Sequence, residues 1–302
     1  MIAAPKSRKV KDYSFFKGFD YYLPAWGGIF ALIGLLIVGA LVGGAVMLLL
    51  TLFMSKESIE AYGVLITYPI QFIPAMIWCS LKSRSNAMFE SGVALDSKHF
   101  GKAGGWVLGV MVVLATVSAA YMSDAITKWL PEMPESMEKL LKGLTAGPLW
   151  ASLLSVSVMA PFFEEWLCRG EVMRGLLQRV KPVWAIIISA AFFAIIHLNP
   201  WQAVPAFILG CLFGYVYYKT GSLLLTMLMH CANNTFSVCL SRIDAVKGAD
   251  TWLDILSPGQ YAIGFVVGVL IIAGLVMLLK RIPLAHPAGN LDRLDASDTP
   301  NA

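Results

Sequence analysis

Charge is scarce in this chain: 14% of its 302 residues are Asp, Glu, Lys or Arg. Soluble domains carry about a quarter, so too little polar surface is present to solvate a globule of this size. Disorder is excluded as well, because 58% of the residues are hydrophobic and disordered chains are polar. The five cysteines are odd in number and form no CxxC pair. Cys79, Cys168, Cys211, Cys231 and Cys239 lie in or beside apolar stretches, where they read as small hydrophobes. A disulfide scaffold, a zinc ribbon and a haem attachment site are thereby excluded. No HExxH zinc-protease signature, no fixed-period repeat and no low-complexity domain is present. A net charge of +4 gives no basic footprint for nucleic acid.

What the chain has in abundance is long apolar runs. A spanning helix needs about 20 mostly apolar residues, and eight stretches qualify. They run from Gly27 to Phe53, Ala61 to Leu81, Ala103 to Ser123, and Gly143 to Glu164. Pro182 to Tyr218 holds no charged residue, and Asn199-Pro200 divides it into a fifth and a sixth. The seventh runs from Thr220 to Ser241 and the eighth from Ile255 to Leu279. The expected fold is all-α, a polytopic integral membrane protein of about eight transmembrane helices. Residues 1–26 form a basic and aromatic N-terminal segment, and 27–281 the membrane domain, with a core at 143–241. Residues 282–302 form a polar tail expected to be disordered. The first stretch is too long for a signal peptide. Phe15, Phe16, Tyr21, Tyr22 and Trp26 flank it and are expected at the headgroup interface.

Basic residues set the orientation. Lys6, Arg8, Lys9, Lys11 and Lys17 precede the first stretch. Lys82, Arg84, Lys98 and Lys102 follow the second, and Arg169, Arg174, Arg179 and Lys181 the fourth. Lys219 lies between the sixth and seventh, and Lys280 and Arg281 follow the eighth. The alternate loops are poorer in positive charge, so both termini are expected in the cytoplasm. Short loops suggest a bacterial plasma membrane. Between Glu135 and Leu144 the helical periodicity indicates a short amphipathic surface helix.

Several ionisable and amide side chains sit where a membrane should be. The fourth stretch carries Glu164 and Glu165, with Arg169 beyond. The fifth carries His197, and the seventh carries His230, Asn233 and Asn234. Such groups are costly in a bilayer and mark functional sites. The sequence midpoint between Glu164 and His197 falls between Val180 and Lys181, beside Pro182. A hairpin turning there sets both residues at equal depth. The fourth helix is expected to emerge near Arg169, leaving a shallow site that opens to the cytoplasmic side or laterally. Residues four apart in an α-helix are offset by about 40°, so Glu165 can pair with Arg169. Glu164 then points away, toward the fifth and seventh stretches. Phe193 shares a face with His197, and His230 with Asn234.

A carboxylate in an apolar pocket is a competent general base near neutrality. Imidazole and carboxamide groups supply proton acceptors and oxyanion donors. No serine or cysteine stands out as a nucleophile, so activated water is the indicated attacker. One carboxylate and two imidazoles, Glu164, His197 and His230, could alternatively hold zinc.

Glu164-Glu165-Trp166-Leu167-Cys168-Arg169 has the form EExxxR, Phe193 to His197 the form FxxxH, and His230 to Asn234 the form HxxxN. In this order, on apolar helices, they resemble the CPBP family, also called Abi or CAAX-protease and bacteriocin-processing proteins. These intramembrane endopeptidases are related to the eukaryotic prenyl-protein protease. The motif region spans 71 residues, Glu164 to Asn234. The resemblance implies that Glu164 and His197 activate water, that His230 and Asn234 form the oxyanion site, and that Glu165, Arg169 and Phe193 support them. It implies membrane lipid as surroundings and a membrane-associated, lipidated or peptide substrate. Family members have been described both as metalloproteases and as glutamic peptidases, so zinc stays open here. A non-catalytic scaffold or bacteriocin-immunity protein is the alternative, and a small transporter the third.

Overall fold

The computed structural model describes residues 15–145, 147–244, 246, 249 and 251–294. The basic residues Lys6 to Lys11, Lys247 and Asp250 of the last outer loop, and the tail beyond Leu294 lie outside the described residues. Each apolar stretch is a helix. We label them α1 (Trp26–Leu50), α2 (Lys56–Asn86) and α3 (Gly104–Thr127). The amphipathic α4 (Glu135–Gly143) follows, and then α5, continuous over 149–177. After these come α6 (Pro182–Ile195), α7 (Pro200–Thr220), α8 (Leu223–Leu240) and α9 (Pro258–Lys280). The only sheet among the described residues pairs β1 (Gly92–Val93) antiparallel with β2 (Arg293–Leu294), Gly92 opposite Leu294.

Local chemistry sets the boundaries. Ser55, Asn199, Ser222 and Ser257 each accept a backbone N–H at a helix start. Gly221 ends α7 with φ 64°, a left-handed turn that glycine adopts without strain. Close packing of α1 on α2 depends on Gly39, where a Cβ would lie 2.0 Å from the carbonyl oxygen of Gln71. Small residues at such crossings let backbones touch, which is what drives helix association in lipid.

Among the described residues five helices are long and apolar enough to cross a membrane: α1, α2, α3, α8 and α9. The other apolar helices, α5, α6 and α7, depart from that form. α6 has only 14 residues, about 21 Å at 1.5 Å per residue, against a hydrocarbon core of about 30 Å. α5 widens twice into π-helix, at Leu153–Met159 and Trp166–Met173. Pro161 has no N–H to continue the α-helical ladder, and the first wide turn ends just before it.

Three expectations are corrected here. α5 does not emerge as a solvated helix near Arg169. Residues 166–177 are all buried, covered by other parts of the same chain rather than by water. Arg174 shows how: it donates to the carbonyls of Phe19, Tyr22 and Val93, pinning two loop segments across the helix. The tail, expected to be disordered from 282, is folded as far as Leu294. Ile282, Ala288, Asn290 and Leu291 are buried, and β2 is held by β1. The flanking aromatics divide. Phe15 and Trp26 are exposed, but Tyr21 and Tyr22 are core residues. Phe19, outside that set, is buried with them, edge-on to Trp166 at 5.4 Å.

Candidate functional site

Glu164 and Glu165 stand on the α-helical window Ala160–Glu165 of α5, between its two π-helical segments. Glu165 is fully buried. Its Oε1 lies 2.8 Å from Nη1 of Arg169, four residues on. Arg169 also donates to the Gly210 carbonyl at 3.0 Å, bringing α7 in. Its guanidinium is 4.8 Å from the Phe193 ring centre and 5.3 Å from that of Phe213. A cation between two rings in a dry interior is an attractive arrangement. It leaves Arg169 a structural partner of Glu165, with its charge turned inward.

His230 on α8 joins both glutamates. Its Nδ1 is 3.0 Å from Glu165 Oε1, and its Nε2 is 3.8 Å from Glu164 Oε2. An ionised carboxylate only accepts, so Nδ1 carries the proton and Nε2 is turned to Glu164. The Glu165–His230 bond was not foreseen from helical phase, which related Glu165 to Arg169 alone.

His197 sits in the turn after α6, half-buried. Its Nδ1–H donates to the Phe193 carbonyl at 2.8 Å, because a carbonyl can only accept, which leaves Nε2 with its lone pair. The Phe193 ring stands edge-on to both imidazoles, 5.1 Å from His197 and 5.3 Å from His230. Leu198, the next residue, has φ 57°, a conformation that costs a bulky side chain energy. That strained residue lets the chain reverse into α7 with His197 held at the corner.

Asn234, one turn beyond His230, donates through Nδ2 to the Val156 carbonyl at 2.7 Å and accepts from Asn233 at 3.0 Å. Val156 lies in the first π-helical segment. The carboxamide thus ties α8 to α5, and one N–H of its NH₂ group remains.

Tyr68, on α2, donates its hydroxyl to Glu164 Oε1 in a short hydrogen bond. Sequence reasoning missed it, since one tyrosine in an apolar stretch gives no signal of its own. The other oxygen, Oε2, is buried and has no hydrogen-bond partner among the described residues.

Glu164, His197, His230, Asn233 and Asn234 line one cavity of about 720 Å³. The shared location of Glu164 and His197 agrees with the hairpin midpoint, for the turn lies at 178–181. The cavity lining includes Lys142, Thr145 and Ser241, at or beside the loops poor in net positive charge. No wall residue comes from 82–102, 178–182 or 280–294, the basic side. There the buried segment 166–177 and the folded chain ends fill the space.

Among the described residues no three His, Cys, Asp or Glu side chains are gathered so as to hold a metal ion. The Nδ1 atoms of both histidines are committed to a carbonyl and a carboxylate, which leaves Nε2 of each as the nitrogen a metal would take.

An all-helical membrane protein with a buried carboxylate–imidazole site is the class that fold and geometry define. Residues 146–236 match the family model described as type II CAAX prenyl endopeptidase Rce1-like. All three motifs fall within the match, in accord with the resemblance to CPBP intramembrane proteases. The matched segment takes in α5, α6, α7 and α8 as far as Phe236, and leaves α1, α2, α3, α4 and α9 outside. No curated protein and no solved structure matches the chain.

Proposed function

We propose that the protein is an intramembrane endopeptidase in which Glu164 activates water to cleave membrane-associated, lipidated CAAX-type or small peptide substrates. One observation carries this reading: a glutamate with an unpartnered oxygen and two imidazoles share a cavity large enough for an extended peptide segment.

A water held between Glu164 Oε2 and His197 Nε2 loses a proton to the carboxylate as its oxygen attacks the peptide carbonyl carbon. The carbonyl oxygen becomes an oxyanion. The remaining N–H of Asn234 is the donor at hand to stabilise it, and His230 adds a second through Nε2 only as the imidazolium, with both ring nitrogens carrying protons. Collapse of the intermediate breaks the C–N bond, and the leaving nitrogen takes the proton back from Glu164. Glu165 and Arg169 fix His230 and the helix beneath. In the membrane all eight long helices cross or enter the bilayer, with the short α6 and the π-widened α5 enclosed by the five apolar spans. Both termini lie on the cytoplasmic side, by the charge of the loops.

Comparative N-terminal proteomics of cells carrying wild type or Glu164→Ala tests the reading. Termini of membrane-protein fragments that disappear in the variant are expected. An unchanged set of termini, with the cellular phenotype retained, identifies a scaffold instead.

A further inference from the structure

We propose that Tyr68 is a positioning residue of this site, whose hydroxyl holds Glu164 Oε1 and so fixes the carboxylate with Oε2 turned toward His230 Nε2. The inference rests on the reading of Glu164 as general base. It adds a residue from α2, a helix outside the matched segment and outside all three motifs.

A glutamate side chain on a helix can turn about several bonds, and either oxygen can then point into a cavity. Here the choice is made. Oε1 accepts the Tyr68 hydroxyl, while Oε2 has no hydrogen-bond partner among the described residues and stands 3.8 Å from His230 Nε2. The tyrosine is itself held in place. Its ring lies 5.5 Å from Phe72 and 6.4 Å from Phe163. Phe72 and Phe163 stack at 5.1 Å with an interplanar angle of 16°. Phe163 immediately precedes Glu164, so the same aromatic cluster that packs α2 on α5 aligns the donor with the carboxylate. Tyr68 and Glu164 both line the cavity, so the hydrogen bond is formed at the reaction space itself. A pre-set carboxylate loses no time or entropy to reorientation when substrate arrives.

The test is Tyr68→Phe, which removes the hydroxyl and keeps the ring in its cluster. Activity is read with an internally quenched, farnesylated CAAX peptide in detergent micelles, alongside thermal stability. The expected result is a kcat lower by roughly ten- to a hundredfold, the usual worth of a hydrogen bond to a charged group. KM and thermal stability should stay near wild type. In a Glu164→Gln background the same change should cause no further loss, because both act on one interaction. A wild-type kcat in Tyr68→Phe, with Glu164→Gln inactive, overturns this inference and leaves the proposed function standing. Full activity in Glu164→Gln overturns both. A second readout needs no substrate: the phenol C–O stretching band of Tyr68, isolated as the infrared difference between wild type and Tyr68→Phe. It should shift when Glu164 becomes Gln, and a band that does not move contradicts the positioning role.

Discussion

Helix α5 carries two buried ionic clusters within eleven residues, and only one of them faces a cavity. The first is Glu164, Glu165 and Arg169. The second is Glu171 and Arg174, 3.7 Å apart and both fully buried. Carboxylate oxygens without a hydrogen bond occur in both: Glu164 Oε2 and Glu165 Oε2 in the first, both oxygens of Glu171 in the second. Unpartnered oxygens therefore do not distinguish chemistry from architecture. Space does. Around Glu171 the chain is closed by Arg174, whose guanidinium reaches Phe19 and Tyr22 carbonyls at 2.9 and 2.7 Å. Glu164 lines a cavity. The second cluster is packed shut against other segments of the chain, and the first borders open space, as the proposed function requires.

This contrast predicts opposite phenotypes from similar substitutions. Glu164→Gln should lower the rate by about 10²–10⁴-fold, the typical loss of a general base, with thermal stability unchanged. Arg174→Gln should do the reverse. It strands Glu171 and four backbone carbonyls, a change that costs about 3–5 kcal/mol, yet activity per folded molecule should survive. If Arg174→Gln abolished activity in a stable protein, the division of α5 into site and packed cluster would be wrong.

Glu165 lies between the two kinds, since it holds both Arg169 and His230. Glu165→Gln should lose both stability and rate, the stability loss being about 1–3 kcal/mol for hydrogen bonds to a charged group. Combined with Arg169→Gln, the loss should be less than additive. Strict additivity would show that the two residues act separately. The direction of the cavity gives a further contrast. In a cysteine-free background, Ser241→Cys should react with a membrane-impermeant maleimide from the face opposite the termini. Labelling from the termini's own face would show the mouth to be on the basic side. The smallest expected effect is that of a metal chelator, which should leave activity at its starting value. Loss on chelation, restored by zinc, would show that Glu164, His197 and His230 gather around a metal in the working enzyme.

Much of this arrangement was legible in the sequence, and its failures have a common cause. Apolar runs reported helices because lipid imposes that choice on every backbone group. The three motifs came together because ionisable residues at membrane depth need company. Glu165–Arg169 was legible as an i, i+4 pair and survives the π-helical segment that follows. What escaped was set by segments distant in sequence. The burial of 166–177 depends on residues 19–22, 92–97 and 288–291, and nothing local announces that they fold over α5. A charged continuation therefore read as solvated. Tyr68 escaped for the same reason, its meaning lying in a carboxylate 96 residues away.

The central claim is that Glu164 in its cavity is the base of a peptide-bond hydrolysis. The most direct measurement is mass spectrometry of a farnesylated CAAX peptide incubated with the purified protein in nanodiscs, wild type beside Glu164→Gln at equal folded concentration. The account predicts cleavage fragments from wild type and essentially none from the variant. Equal fragment yields from the two proteins would contradict it.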